Sequence, residues 1–181
     1  MVIFGRMISV NFIKPLSIKT NRLILKNISL NDQKEMCDIL TNKEVSKTYM
    51  IPDFKGEEEV IKLFNRFKVL TENEHKFVYG IYLNERLIGF INEVEIINDE
   101  IELGYVISPL YKNNGYATEV LIKAIDELFK LGFNVVKTGA FINNLASIRV
   151  MEKANMTKLN EITQIEYKGV TYDCVNFEKR K

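Results

Sequence analysis

Residues 107–119 read Ile-Ser-Pro-Leu-Tyr-Lys-Asn-Asn-Gly-Tyr-Ala-Thr-Glu, a polar stretch leading from an apolar strand-like run into an amphipathic helical one. The chemistry open to such a segment is anion binding. The first amides of a helix have no acceptor within it, and aligned peptide dipoles put about half a positive charge there, so backbone alone can hold a pyrophosphate. Gly115 and Ala117 keep the approach to those amides clear, and Gly115 can take the positive φ that phosphate-cradling turns use. Two other phosphate devices are excluded. None of the nine glycines stands two residues from another and none opens a Gly-x-x-x-x-Gly-Lys run, so neither the dinucleotide fingerprint nor the Walker loop is present.

Metal and thiol chemistry find little support. The single histidine, His75, stands in a polar stretch with no sequence partner and reads as a solvated side chain. Cys37 and Cys174 lie far apart and match no ligand spacing, so two free thiols in a reducing cytoplasm are expected, and no metal.

The elements that must position the turn follow from periodicity. Ile101–Ile107 reads as the strand before it, and Val120, Leu121, Ala124, Ile125, Leu128 and Phe129 give the helix 116–131 after it an apolar stripe that Gly132 ends. Upstream, 22–26 reads as a strand, 30–41 as a helix, and Val60, Ile61, Phe64 and Phe67 as the face of a second helix. Phe77–Leu83, Arg86–Glu95 and Ile101–Ile107 form an antiparallel meander turning at Asn84-Glu85 and Asn98-Asp99. Downstream come a β-rich run over 133–141, a short helix over 146–154, and strands near 156–166 and 170–178 around Lys168-Gly169. This order specifies one α/β domain on a mixed sheet, spanning 1–181 with residues 1–17 as an N-terminal extension; Met1 and Met7 both remain available as the start.

Composition narrows the partners. With 25 Lys+Arg against 24 Asp+Glu the chain announces neither nucleic acid nor an anionic membrane, and charges interrupt every apolar run before the roughly 18 residues a span needs. A hydrophobic content of 46% suffices for a continuous core.

Lys112-Asn-Asn-Gly115-Tyr-Ala117 resembles the coenzyme A signature of the GNAT acetyltransferases, (Gln/Arg)-x-x-Gly-x-(Gly/Ala), with Lys in the first place. Thr20-Asn-Arg-Leu-Ile-Leu, Leu103-Gly-Tyr-Val-Ile and Asn144-Leu-Ala-Ser147-Ile-Arg-Val-Met-Glu-Lys-Ala-Asn-Met extend the likeness to the RimJ/RimL-like branch, over roughly residues 18–179. The resemblance implies a mostly antiparallel sheet flanked by helices, its fourth and fifth strands splayed, with acetyl-CoA as co-substrate. It implies that Tyr105, Val106 and Ile107 run along the pantetheine arm, with an N–H near Val106 as oxyanion donor. Lys112, Asn113, Asn114, Gly115, Tyr116, Ala117 and Thr118 would hold the pyrophosphate, and Asn144 would contact the coenzyme near its thiol, unless it serves only as a helix cap.

The catalytic groups transfer less directly. Seven residues beyond Asn144, where another branch has an acidic Tyr, stands Met151, and five residues before it, where a related branch has Glu, stands Gly139. Ser147 is the substitute donor to the departing thiolate. An amine with a pKa of about 10 must lose a proton before it can attack, and Glu102 is the first candidate base, with Glu93 and Glu95 as alternatives. The implied activity is N-acetyl transfer by direct attack in a ternary complex to a protein N-terminus, a polyamine or another small amine, by a monomer or homodimer. The alternative is a catalytically inactive acyl-CoA-binding sensor or partner subunit.

Overall fold

The computed structural model describes residues 10–181. Its strands are β1 (Ser17–Lys19), β2 (Ile24–Lys26), β3 (Val78–Leu83), β4 (Arg86–Ile97), β5 (Glu100–Ile107), β6 (Val135–Phe141), β7 (Thr157–Tyr167) and β8 (Val170–Arg180). They form one sheet in the order β1-β2-β3-β4-β5-β6-β8-β7, antiparallel at every junction except the parallel β5–β6. Helices α1 (Gln33–Leu40) and α2 (Glu57–Glu72) cover one face, and α3 (Tyr116–Lys130) and α4 (Leu145–Lys153) the other.

Strand alternation sorts side chains between these layers. On β5, Ile101 and Leu103 enter the core beneath α3, whereas Val106 enters the one beneath α1 and α2. The stripe expected on α3 is buried at Val120, Leu121, Ala124, Ile125 and Leu128. Gly132, at φ 102°, ends the helix: its N–H donates to Phe129 O at 3.4 Å and that of Phe133 to Leu128 O at 3.1 Å, satisfying two terminal carbonyls. Asn84 and Glu85 both take positive φ, as the two-residue turn of a hairpin demands.

Three-residue β1 was not legible from pattern, and it shifts the count so that the splayed pair is β5 and β6. These strands pair only at Glu100↔Val135, Ile101↔Val136 and Glu102↔Lys137. Beyond that, β5 stays on β4 as far as Gly89↔Ile107 and β6 stays on β8 as far as Phe141↔Cys174. Each follows its own antiparallel neighbour, and a fork opens between them.

Part of the expected N-terminal extension is integral. Phe12 is buried edge-on against Phe133, their centroids 5.3 Å apart. Lys14 is buried too, donating to Thr71 O at 2.6 Å and Val78 O at 2.7 Å, which ties the end of α2 to the start of β3. His75 is exposed, as expected of a solvated side chain, and its Nδ1 also lies 2.8 Å from Phe12 O. The choice between Met1 and Met7 lies outside the described residues. At the far end of the chain, the Tyr167 hydroxyl reaches Ser46 O at 2.9 Å and Ile51 O at 2.8 Å, so the β7–β8 hairpin clasps the α1–α2 connection.

Candidate active site

The fork opens into a cleft of about 780 Å³. Its walls bring together Tyr105, Val106 and Ile107 from β5, Lys112, Asn113, Gly115, Tyr116, Ala117 and Thr118 from the turn and head of α3, and Asn144 and Ser147 from α4. Of the residues singled out from sequence, Asn114 and the three candidate bases Glu102, Glu93 and Glu95 do not line it.

Ladder phase decides which β5 amides face the gap. Ser108 N–H donates to Ile88 O at 2.8 Å, and Asp99 O, on the opposite phase, accepts from Asn134 N–H at 2.9 Å on the β6 side. Even-numbered residues therefore turn their peptide groups to β4 and odd-numbered ones to the gap. Val106 itself faces β4, so a free N–H near Val106, as the sequence leads one to expect, is that of Tyr105 or Ile107.

The turn before α3 is open. Asn113 and Gly115 take φ of 62° and 77°, and among the described residues no acceptor meets the backbone amides from Asn113 to Thr118. The first bond of the helix is Glu119 N–H to Gly115 O at 3.1 Å. Among the described residues, a Cβ on Gly115 would find only Arg22 Nη2, 3.6 Å away. Asn114 turns its amide back to Tyr111 O and Lys112 O, at 3.2 and 2.9 Å, and so shapes the turn from behind.

The rim is basic. Lys112 is committed to an ion pair with Glu44 across the cleft mouth, and that hydrogen bond holds the Glu44 carboxyl below its usual range. Lys47, Arg149 and Lys153 also line the cleft and have no carboxylate partner among the described residues. Sequence reasoning missed them, although Arg149 and Lys153 stand one turn apart on α4 and that spacing alone puts two charges on one helix face.

At the α4 end, Asn144 does cap the helix: its Oδ1 accepts from Ser147 N–H at 3.2 Å, and its Nδ2 donates to Ser147 Oγ at 3.0 Å. The Tyr105 hydroxyl is buried and makes no geometrically complete hydrogen bond among the described residues. Burial pushes its pKa well above the usual tyrosine value, with the nearby Ser147 side chain opposing that only in part. Met151 is fully buried in the core under α4, so it points away from the cleft as well as lacking an acid proton.

Glu102 lies on the other face of β5, at the last paired rung where the strands part, between Glu95 on β4 and Lys137 on β6. Burial and the Glu95 carboxylate raise its pKa, with Lys137 acting against them. Glu93 is occupied, accepting from Lys76 Nζ at 2.6 Å and Phe77 N–H at 2.8 Å, and Glu95 is exposed. A side chain at Gly139 would have to displace the Asn176 amide, since a Cβ there would lie 2.7 Å from Asn176 Oδ1. Over neighbouring Gly104 sits Tyr49, whose ring and hydroxyl would lie 3.1 and 3.2 Å from an added Cβ. Tyr49 donates to Asn92 Oδ1 at 2.7 Å, and burial pushes its pKa up to about 12. Among the described residues no group of acidic, His or Cys side chains suits a metal ion, and no helix is long and apolar enough to cross a membrane.

Known proteins share this arrangement. Residues 22–157 match the family model of the acetyltransferase (GNAT) domain. The chain is 29% identical over 162 residues to the uncharacterized N-acetyltransferase YoaA of Bacillus subtilis (strain 168), covering 86% of this chain and 92% of that one. The microcin C7 self-immunity acetyltransferase MccE, solved with acetyl-CoA and AMP, superposes with a TM-score of 0.78 at 18% identity, over 93% of this chain and 98% of that one. RimL, a ribosomal L7/L12 α-N-protein acetyltransferase, superposes with a TM-score of 0.77 at 16% identity, over 93% and 94% of the two chains. With that family model matched over most of its length, the chain belongs to the GNAT acetyltransferase family.

Proposed function

We propose that the protein moves the acetyl group of acetyl-CoA onto a primary amine by direct attack in a ternary complex. The observation that carries this reading is the joining of an unpaired β5 edge to a run of unpaired amides at the head of α3 within one cleft. The donor set fits the coenzyme. An extended amide-bearing arm can pair with the free peptide groups of Tyr105 and Ile107, and a pyrophosphate can take the amides of 113–118. Lys47, Arg149 and Lys153 add charge for the phosphates, and Lys112 joins them when it exchanges Glu44 for phosphate.

The coenzyme supplies an activated acetyl thioester. The protein's residues do the rest. Glu102, at the apex of the fork and biased toward holding a proton, accepts the proton the amine must lose, directly or through water. The nitrogen pair forms the new bond to carbon while the carbon–sulfur pair leaves on sulfur. Ser147 Oγ–H donates a hydrogen bond to that sulfur, which suffices for a leaving group with a pKa of about 8.5.

The acceptor, a protein N-terminus, a polyamine or another small amine, enters on the face of α1, α2 and the β7–β8 hairpin. The RimJ/RimL-like assignment rests on the Thr20–Leu25, Leu103–Ile107 and Asn144–Met156 blocks. A monomer or homodimer in the cytoplasm fits the two free thiols. A second reading, a coenzyme-binding sensor without catalysis, draws on Met151 and Gly139, which leave two catalytic places of related branches without a titratable group. Acetylation of an amine panel, with acetyl-CoA binding measured alongside, separates the two: binding without turnover on any amine would favour the sensor.

A further inference from the structure

Tyr105 is chemically odd for its place. Its ring lines the cleft, but its hydroxyl is sealed from solvent and makes no geometrically complete hydrogen bond among the described residues. A buried hydroxyl of this kind is normally satisfied, so an orphan signals a partner supplied in another state of the site. Being on the odd face of β5, the side chain points toward α4, where it packs in the same core as Ile148 and Val150. The polar side chain of that helix within reach of the Tyr105 hydroxyl is Ser147, which also lines the cleft, although no geometrically complete hydrogen bond joins the two.

Ser147 has one proton and two acceptor positions on Oγ. Asn144 Nδ2 takes one acceptor position at 3.0 Å. The second faces a choice between Tyr105 and the cleft, and the serine proton takes whichever direction is left.

Resting on the acetyltransferase reading, we infer that Tyr105 is a positioning residue: its hydroxyl donates to Ser147 Oγ and thereby commits the serine proton to the departing sulfur. With both acceptor positions of Oγ filled by Asn144 and Tyr105, the O–H has one direction left, into the cleft. No proton leaves Tyr105 at any point. The amine's proton goes to the carboxylate side, the carbon–sulfur pair goes to sulfur, and the two hydroxyls contribute hydrogen bonds alone. A tyrosine held neutral by burial is suited to this, because it stays a donor across the working pH range.

Tyr105→Phe tests the inference with little risk to folding, since it removes a group that bonds nothing in the free protein. The expected result is a fall of about tenfold in kcat, a dissociation constant for acetyl-CoA within about twofold of wild type, and an unchanged or raised Tm. In a double-mutant cycle the Tyr105→Phe loss vanishes in a Ser147→Ala background. A full additional loss there, or weakened acetyl-CoA binding with kcat intact, would mean that the hydroxyl serves something other than Ser147 and overturns the proposal. A readout free of turnover keeps the idea separate from the enzyme assignment. In protein carrying Cζ-labelled tyrosine with coenzyme A bound, the Tyr105 resonance shifts on Ser147→Ala if the bond exists. No shift overturns the pairing even if an acetylated amine is found, whereas a shift in a protein that acetylates nothing sustains the pairing while the activity reading fails.

Discussion

Arg22 closes on Glu119 across the head of α3, with Nε and Nη2 each 2.7 Å from Oε2 and its backbone N–H 2.8 Å from Oε1. The guanidinium also lies 4.6 Å from the centroid of Tyr116 and faces Gly115. An acid in the first turn matches the helix dipole but would repel a phosphate next to it. Arg22 removes that conflict by neutralising Glu119 from the side.

Arg22→Ala therefore leaves an uncompensated carboxylate beside the turn. Acetyl-CoA affinity should fall about tenfold, roughly 1.4 kcal/mol, and Glu119→Gln in the same chain should restore much of it. Isothermal titration on the two variants checks this.

Glu119 also gives a pH signature. Burial alone would raise its pKa, but hydrogen bonds from Thr20 and Arg22 outweigh that and hold it below the usual 4.5. With the folded pKa depressed, the staple stabilises fully above pH 4.5 and is lost as pH falls through the folded value. Urea midpoints of wild type and Glu119→Gln should converge on acidification from pH 5 downward, and parallel curves would count against the staple.

Gly115→Glu should abolish acetyl-CoA binding, by about 100-fold or more, while the chain still folds. The backbone at φ 77° strains any L side chain by about 1–2 kcal/mol, but among the described residues a Cβ there would meet just a flexible arginine tip. Circular dichroism beside a binding isotherm separates the two effects.

Glu102→Gln should slow turnover at least tenfold with coenzyme binding intact and should remove the acidic limb of the pH–rate profile. Stability should move the other way. A carboxyl whose folded pKa is raised binds its proton more tightly in the folded state, so its stabilisation is complete below the unfolded pKa and is lost as pH rises through the folded one. At neutral pH the Gln variant should melt no lower than wild type.

Lys14 supplies a test at alkaline pH. Burial lowers its pKa from 10.5 to about 8, with Glu93 opposing, so the unfolded chain holds this proton more firmly. Wild type should gain stability relative to Lys14→Met as pH rises from about 8 to 10.5. The neutral amine keeps two protons, enough for the carbonyls of Thr71 and Val78.

What could be read in advance was local in sequence. The stripe of α3, its Gly132 stop, the Asn84-Glu85 and Lys168-Gly169 turns and the open Gly115 turn before α3 each depend on residues within one or two helical turns, and all were legible. β1 was not, because three residues show no period and its pairing depends on β2. The extent of the fork follows from long-range pairing, and so was available only by family likeness. Arg22–Glu119, Lys14–Thr71 and Tyr167–Ile51 join residues 97, 57 and 116 positions apart, distances over which no pattern in the chain operates. Ladder phase separated Val106 from Tyr105 and Ile107, and a residue-type motif carries no phase.

The fork has a bearing on how long the protein survives. On the reading proposed above, the sheet parts between β5 and β6 and the extended arm of acetyl-CoA would fill the gap. A donor present at 100 times its dissociation constant would add about 2.7 kcal/mol to the folded state, a large share of what a domain of this size ordinarily possesses. Resistance to heat and proteases would then track the supply of acetyl-CoA, and starvation for it would thin the enzyme's numbers as well as idle it.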